Sequence, residues 1–85
     1  MAKIEVFTKF FCPYCSRAKA LLERKGVEYQ EIDLTTDRAG FDAMVARAGG
    51  ARTVPQIFID GKHIGGSDDM MALERAGKLD ALLNA

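Results

Sequence analysis

Lys3-Ile4-Glu5-Val6-Phe7-Thr8-Lys9-Phe10-Phe11-Cys12-Pro13-Tyr14-Cys15-Ser16-Arg17-Ala18 reads as a strand, a short loop and the first turns of a helix. Ile4, Val6 and Thr8 alternate with Glu5 and Phe7, the period of two that a strand requires. Pro13 suits the first helical position, where its missing N–H costs nothing. Ala18, Leu21 and Leu22 then follow the spacing of an inward helix face. Arg24 and Lys25 lie near the C-terminal end, which favours cations, and Gly26 supplies a cap. Cys12 therefore falls at a helix N-terminus, with Cys15 one turn further in.

Downstream, residues 27–34 contain a second strand with Val27, Tyr29, Ile32 and Leu34 as apolar positions. The alternation slips by one between Tyr29 and Ile32, which leaves the register open. Thr36 or Asp37 can cap a second helix, with Phe41, Met44, Val45 and Ala48 inward and Gly49-Gly50 as its stop. Gln56-Ile57-Phe58-Ile59 is a third strand, and Asp60-Gly61 a two-residue hairpin signal. Lys62-His63-Ile64 returns as a short fourth strand. Gly65-Gly66 breaks the chain. Ser67 can cap a third helix, with Asp68 and Asp69 in its first turn and Met70, Leu73 and Ala76 inward. Gly77 ends or kinks that helix, and Leu79, Leu82 and Leu83 support a last turn or two. The order β-α-β-α-β-β-α predicts a single α/β domain over 1–85, a mixed sheet covered by helices on both faces.

The composition fits a folded domain rather than a disordered one: 85 residues, 48% hydrophobic and 28% charged. Twelve basic and twelve acidic residues give no net charge, which argues against nucleic acid or an anionic membrane as partner. No apolar run has the length of a membrane span, and the first residues lack the apolar stretch of a signal peptide. The expectation is a soluble cytosolic protein. Two cysteines three positions apart are too few and too close for a secreted disulfide scaffold. They point to redox or metal chemistry.

Unpaired N–H groups and the helix dipole place partial positive charge beside Cys12, with Lys9 near in sequence. Such settings favour thiolate over thiol, so Cys12 is the expected nucleophile. Residues three apart on a helix are neighbours, so a slight adjustment of the first turn lets Cys15 bridge to it as the resolving thiol. A zinc site needs about four ligands, and only His63, on an expected edge strand, is otherwise on hand. No metal is expected. A cluster shared between two chains is a separate reading that one cysteine pair does not require.

Cys12-Pro13-Tyr14-Cys15 after a strand, Thr53-Val54-Pro55 before another and Gly65-Gly66-Ser67-Asp68 at a helix start together resemble the glutaredoxin family, of the dithiol Cys-Pro-Tyr-Cys type. The resemblance covers nearly the whole chain. It implies the thioredoxin fold, a four-stranded mixed sheet flanked by helices, and glutathione as reductant. It implies a cis proline at Pro55 and strand-like pairing of glutathione with the Val54 backbone in the loop of Thr53, Val54 and Pro55. It places the γ-glutamyl end of glutathione at Gly66, Ser67 and Asp68, with the Asp68 carboxylate on the ammonium. Lys9 would meet the glycine carboxylate, with Arg52 and Gln56 as weaker candidates, and Tyr14 would line the groove. Glutathionylated or disulfide-containing proteins become the expected partners, ribonucleotide reductase among those the family suggests, for a monomeric enzyme. A thioredoxin-like carrier would show Trp-Cys-Gly-Pro-Cys, and this chain has no tryptophan. A cluster-binding dimer is associated in the family more with single-cysteine motifs such as Cys-Gly-Phe-Ser. Met70-Met71 read as core, and Arg17, Lys19, Arg24 and Lys25 as a solvated helix face.

Overall fold

In the computed structural model, which describes residues 2–84, the chain runs β1 (Ile4–Thr8), α1 (Pro13–Arg24), β2 (Gln30–Asp33), α2 (Arg38–Arg47), β3 (Gln56–Ile59), β4 (Lys62–Gly65), α3 (Ser67–Arg75) and α4 (Leu79–Leu83). The strands form one sheet in the order β2-β1-β3-β4. β1 pairs parallel with β2 and antiparallel with β3, and β3 pairs antiparallel with β4. This is the four-stranded mixed sheet expected from the sequence. The expected last turn is a separate helix: Gly77, at φ 72, turns the chain between α3 and α4.

The period of two sorts each strand's side chains onto two faces. Ile4 and Val6 of β1 and Ile57 and Ile59 of β3 join Ala18, Leu21 and Leu22 of α1, Met70 of α3, and Leu79 and Leu83 of α4. Phe7 and Phe58 point the other way, onto Phe41, Met44 and Ala48. Two cores result, one on each side of the sheet. The slip in the second strand now has a cause. Val27 and Tyr29 pack against the first core, whereas Ile32 and Leu34 pack in the second. The chain changes allegiance as it enters the edge strand, so the pairing starts only at Gln30, with Phe7 opposite Ile32. Met70 is fully buried, and Met71 packs partly buried beside it.

Three local devices aim the elements. Asp37 caps α2, its carboxylate accepting the Gly40 N–H at 2.8 Å. Asp60 and Gly61 both take positive φ, as a tight hairpin turn requires. The third departs from expectation: Gly66, not Ser67, is the N-cap of α3. Asp69 reaches back from the first turn and accepts the Gly66 N–H at 3.0 Å, so the cap sits one residue earlier. A Cβ on Gly65, at φ 119, would run into the Asp69 carboxylate, which is why this turn needs glycine.

Candidate active site

Cys12 is the N-cap of α1, with extended backbone angles that place its sulfur over the first turn. The Sγ accepts the Cys15 N–H at 3.1 Å. That donor is one of the groups a helix start leaves without an internal partner. On its other side the sulfur makes a long contact, 3.6 Å, to the Val54 carbonyl. Cys12 is half-buried, within reach of an incoming sulfur, whereas Cys15 is 2% exposed. Burial pushes the Cys15 thiol from an ordinary 9.0 up to about 12, with the hydrogen bond to Cys12 adding to the rise. One sulfur is therefore presented and the other held back protonated.

The Val54–Pro55 bond is cis, as expected. Pro55 is buried and its carbonyl lies against α3: a Cβ on Gly66 would meet it at 3.4 Å. The loop of residues 53–55 is thus fixed between Cys12 and the N-terminus of α3. A depression of about 390 Å³ opens along this path, lined by Tyr14, Thr53, Val54, Pro55, Gly66, Ser67 and Asp68 among others. These are seven of the expected site residues. At its far end Ser67 Oγ is fully buried without a hydrogen-bond partner. A buried hydroxyl in that condition, at a helix N-terminus inside a depression, is suited to an anionic ligand group.

Lys9 and Arg52 lie elsewhere. They line a second depression of about 520 Å³, with Thr35, Thr36, Asp37, Arg38 and Phe41. The Lys9 ammonium sits 4.0 Å from the centre of the Phe41 ring, and the Arg52 guanidinium 5.3 Å. Three cations face one carboxylate here, and that carboxylate caps α2. Because Arg52 and Thr53 are consecutive, the two depressions abut along one loop.

Gln56 does not join Lys9 and Arg52. It is buried at the start of β3, and its side-chain amide donates to the Thr53 carbonyl at 3.1 Å and the Thr53 hydroxyl at 3.2 Å. The carbonyl can only accept, which turns the Gln56 oxygen toward His63, 2.6 Å away. His63 Nε2 therefore carries the proton and donates it. The His63 ring also lies 5.0 Å from that of Phe58, so this histidine is more than a solvated edge residue. A polar residue inside the four-residue buried run of β3 had to find internal partners. That signal was present in the sequence.

A parallel-then-antiparallel sheet with a presented sulfur at a helix N-terminus and a cis proline beside it defines a thioredoxin-fold dithiol protein. A family model for glutaredoxin matches residues 4–64. A probable glutaredoxin of Synechocystis is 58% identical over 84 residues, 99% of this chain and 96% of that one. Glutaredoxin 3 of Escherichia coli K12 is 54% identical over 83 residues, 98% of this chain and 99% of its own. A crystal structure of a buckwheat glutaredoxin–glutathione complex superposes with a TM-score of 0.89 at 43% identity, covering 98% of this chain and 77% of that one. The chain belongs to the glutaredoxin family and is a thiol–disulfide oxidoreductase of that glutathione-dependent class.

Proposed function

We propose that the chain is a monomeric, cytosolic, dithiol enzyme that reduces both glutathione mixed disulfides and protein disulfides. The observation that carries this reading is the Cys12 sulfur, presented at the N-terminus of α1 with Cys15 buried one turn behind it. In the first reaction the Cys12 thiolate attacks the glutathione sulfur of a mixed disulfide. The new Cys12–glutathione disulfide forms as the substrate thiolate leaves and takes a proton. A second glutathione thiolate then attacks the bound glutathione sulfur, leaving oxidised glutathione and the Cys12 thiolate. In the second reaction Cys12 attacks a protein disulfide, and Cys15, once deprotonated, attacks the Cys12 sulfur. The protein leaves fully reduced, and two glutathiones reduce the resulting Cys12–Cys15 disulfide.

Glutathione is placed with its cysteine unit on the Val54 backbone, as an added strand. Its γ-glutamyl carboxylate lies on the N–H groups of Gly66 and Ser67 and on the orphaned Ser67 hydroxyl, with Asp68 on the ammonium. Tyr14, Thr53 and Pro55 form the walls. Lys9 takes the glycine carboxylate, with Arg52 beside it in the cationic depression. The buckwheat complex supports glutathione as the ligand.

The test is a coupled assay with glutathione, run on the wild type, Cys12→Ser and Cys15→Ser. Cys15→Ser should keep much of the activity on a glutathione mixed disulfide and lose activity on protein disulfides. Cys12→Ser should lose both; substantial turnover by that variant would sink the mechanism.

A further inference from the structure

Among the described residues, the exposed large apolar side chains are Phe10, Phe11 and Tyr14, at 66%, 89% and 53%. All three flank Cys12 in sequence. Tyr14 belongs to the glutathione depression, but Phe10 and Phe11 line neither depression. Their rings touch each other, with centres 4.2 Å apart, and so form one apolar patch. Phe11 also carries φ 54, in the left-handed region where glycine and asparagine sit comfortably and a bulky residue does not. Inside the chain the Phe11 ring gains only its contact with Phe10, being otherwise almost wholly exposed. The loop itself is anchored, with the Phe10 N–H donating to Thr35 Oγ1 at 2.8 Å. A costly backbone that displays an unpacked ring beside a reactive sulfur points outward, to a partner.

The reaction at Cys12 says which partner. A sulfur must arrive there, and the polypeptide that carries it has to run over the surface around Cys12. Glutathione, as placed above, occupies the depressions and leaves these rings uncovered. We infer that Phe10 and Phe11 are specificity-determining residues that receive the polypeptide half of the substrate, selecting substrates with an apolar side chain next to the reacting cysteine. The inference rests on the proposed function. During deglutathionylation the glutathione sulfur goes to Cys12, and the peptide thiolate leaves across the Phe10–Phe11 patch.

The test compares two glutathionylated peptides, one with leucine on both sides of its cysteine and one with serine there, alongside the glutathione–cysteine mixed disulfide. The variant is Phe10→Ser with Phe11→Asn; asparagine suits the left-handed backbone, so a folding defect is not built into it. The wild type should prefer the leucine peptide in kcat/KM by about tenfold, the scale of partly burying apolar side chains. The variant should lose that preference and keep its rate on glutathione–cysteine disulfide. Equal wild-type rates on the two peptides, or a preference that survives in the variant, would overturn the inference. A concentration-dependent dimer that the variant abolishes would give the patch to a second copy and overturn it as well. Failure of the wild type on every substrate would instead remove the proposed function on which it stands.

Discussion

At the residue scale the two sulfurs divide the work by burial. Cys15 is held up at about 12 chiefly because it is buried, and then because of Cys12. When Cys12 enters a mixed disulfide its thiol hydrogen bond and charge are gone, but the burial stays. Attack by Cys15 therefore draws on a scarce thiolate, whose population rises about tenfold per pH unit below its pKa. Turnover of a protein disulfide should keep climbing above about pH 9, where the glutathione thiol, an ordinary cysteine at about 8.5, is already ionised and the glutathione-only reaction of Cys15→Ser levels off. Parallel pH profiles for the two reactions would remove Cys15 deprotonation as a limit. Gln56 makes a second prediction as a positioning residue for the Thr53 to Pro55 loop. Gln56→Glu keeps an acceptor for His63 and loses both donations to Thr53. It should raise the KM for a glutathione mixed disulfide several-fold with little change in kcat. The rate at which iodoacetamide alkylates Cys12 should not change. The two cysteines were legible from spacing alone, because helix position and nucleophilicity are both local. The Gln56 partner set was not, because His63 lies seven residues away across a hairpin and comes into reach only when β3 and β4 pair.

At the element scale the site is a meeting of two helix starts, that of α1 at Cys12 and that of α3 at Gly66. Proline punctuation placed the first correctly, whereas the second, read with its cap at Ser67, begins one residue earlier. What sequence missed was which side chain caps α3. Ser67 has the right chemistry, but Gly65 and Gly66 let the chain turn one residue sooner, and Asp69 closes the cap from inside the helix. Ser67 Oγ is thereby released from capping and left without a partner. Asp69→Ala should cost about 1 kcal/mol, the usual loss of a cap, measurable by urea unfolding. It should also weaken glutathione binding, because the same N-terminus holds the γ-glutamyl carboxylate in the proposed site. Ser67→Ala, in contrast, removes an unsatisfied hydroxyl, so it should leave stability unchanged or slightly higher while binding weakens. Loss of stability without loss of binding in either variant would separate α3 from the ligand. The register of β2 shows the same limit in another form. A single alternating pattern cannot express a strand whose entry packs on one core and whose body packs on the other.

At the scale of the whole molecule, Cys15 on α1 and Tyr29 beside the first core are titratable groups that resist deprotonation. Cys15 rises from 9.0 to about 12 by burial. Tyr29 rises from 10.0 to about 12, by burial first and then through its 2.7 Å hydrogen bond to Glu23. Each binds its proton more tightly in the folded chain than in the unfolded one. The unfolded state therefore gives up its protons first as pH rises, and folding stability falls wherever it binds fewer. The contribution of each group is whole below its unfolded value, about pH 9 for Cys15 and 10 for Tyr29, and is lost on the way to about 12. Lys19, held charged mainly by Glu31, and Lys25, held by Asp80 and Glu74, are raised too and lose their pairs in the same direction. The reduced protein should thus unfold at steadily lower urea concentration as pH climbs past 9. Tyr29→Phe and Cys15→Ser should each flatten that decline, and together more than either alone, since the two groups share no hydrogen-bond partner. Oxidation to the Cys12–Cys15 disulfide should do the same as Cys15→Ser, because it removes the titrating thiol without removing the residue. An alkaline decline of equal slope in the reduced, oxidised and Cys15→Ser proteins would show that the buried thiol carries none of it.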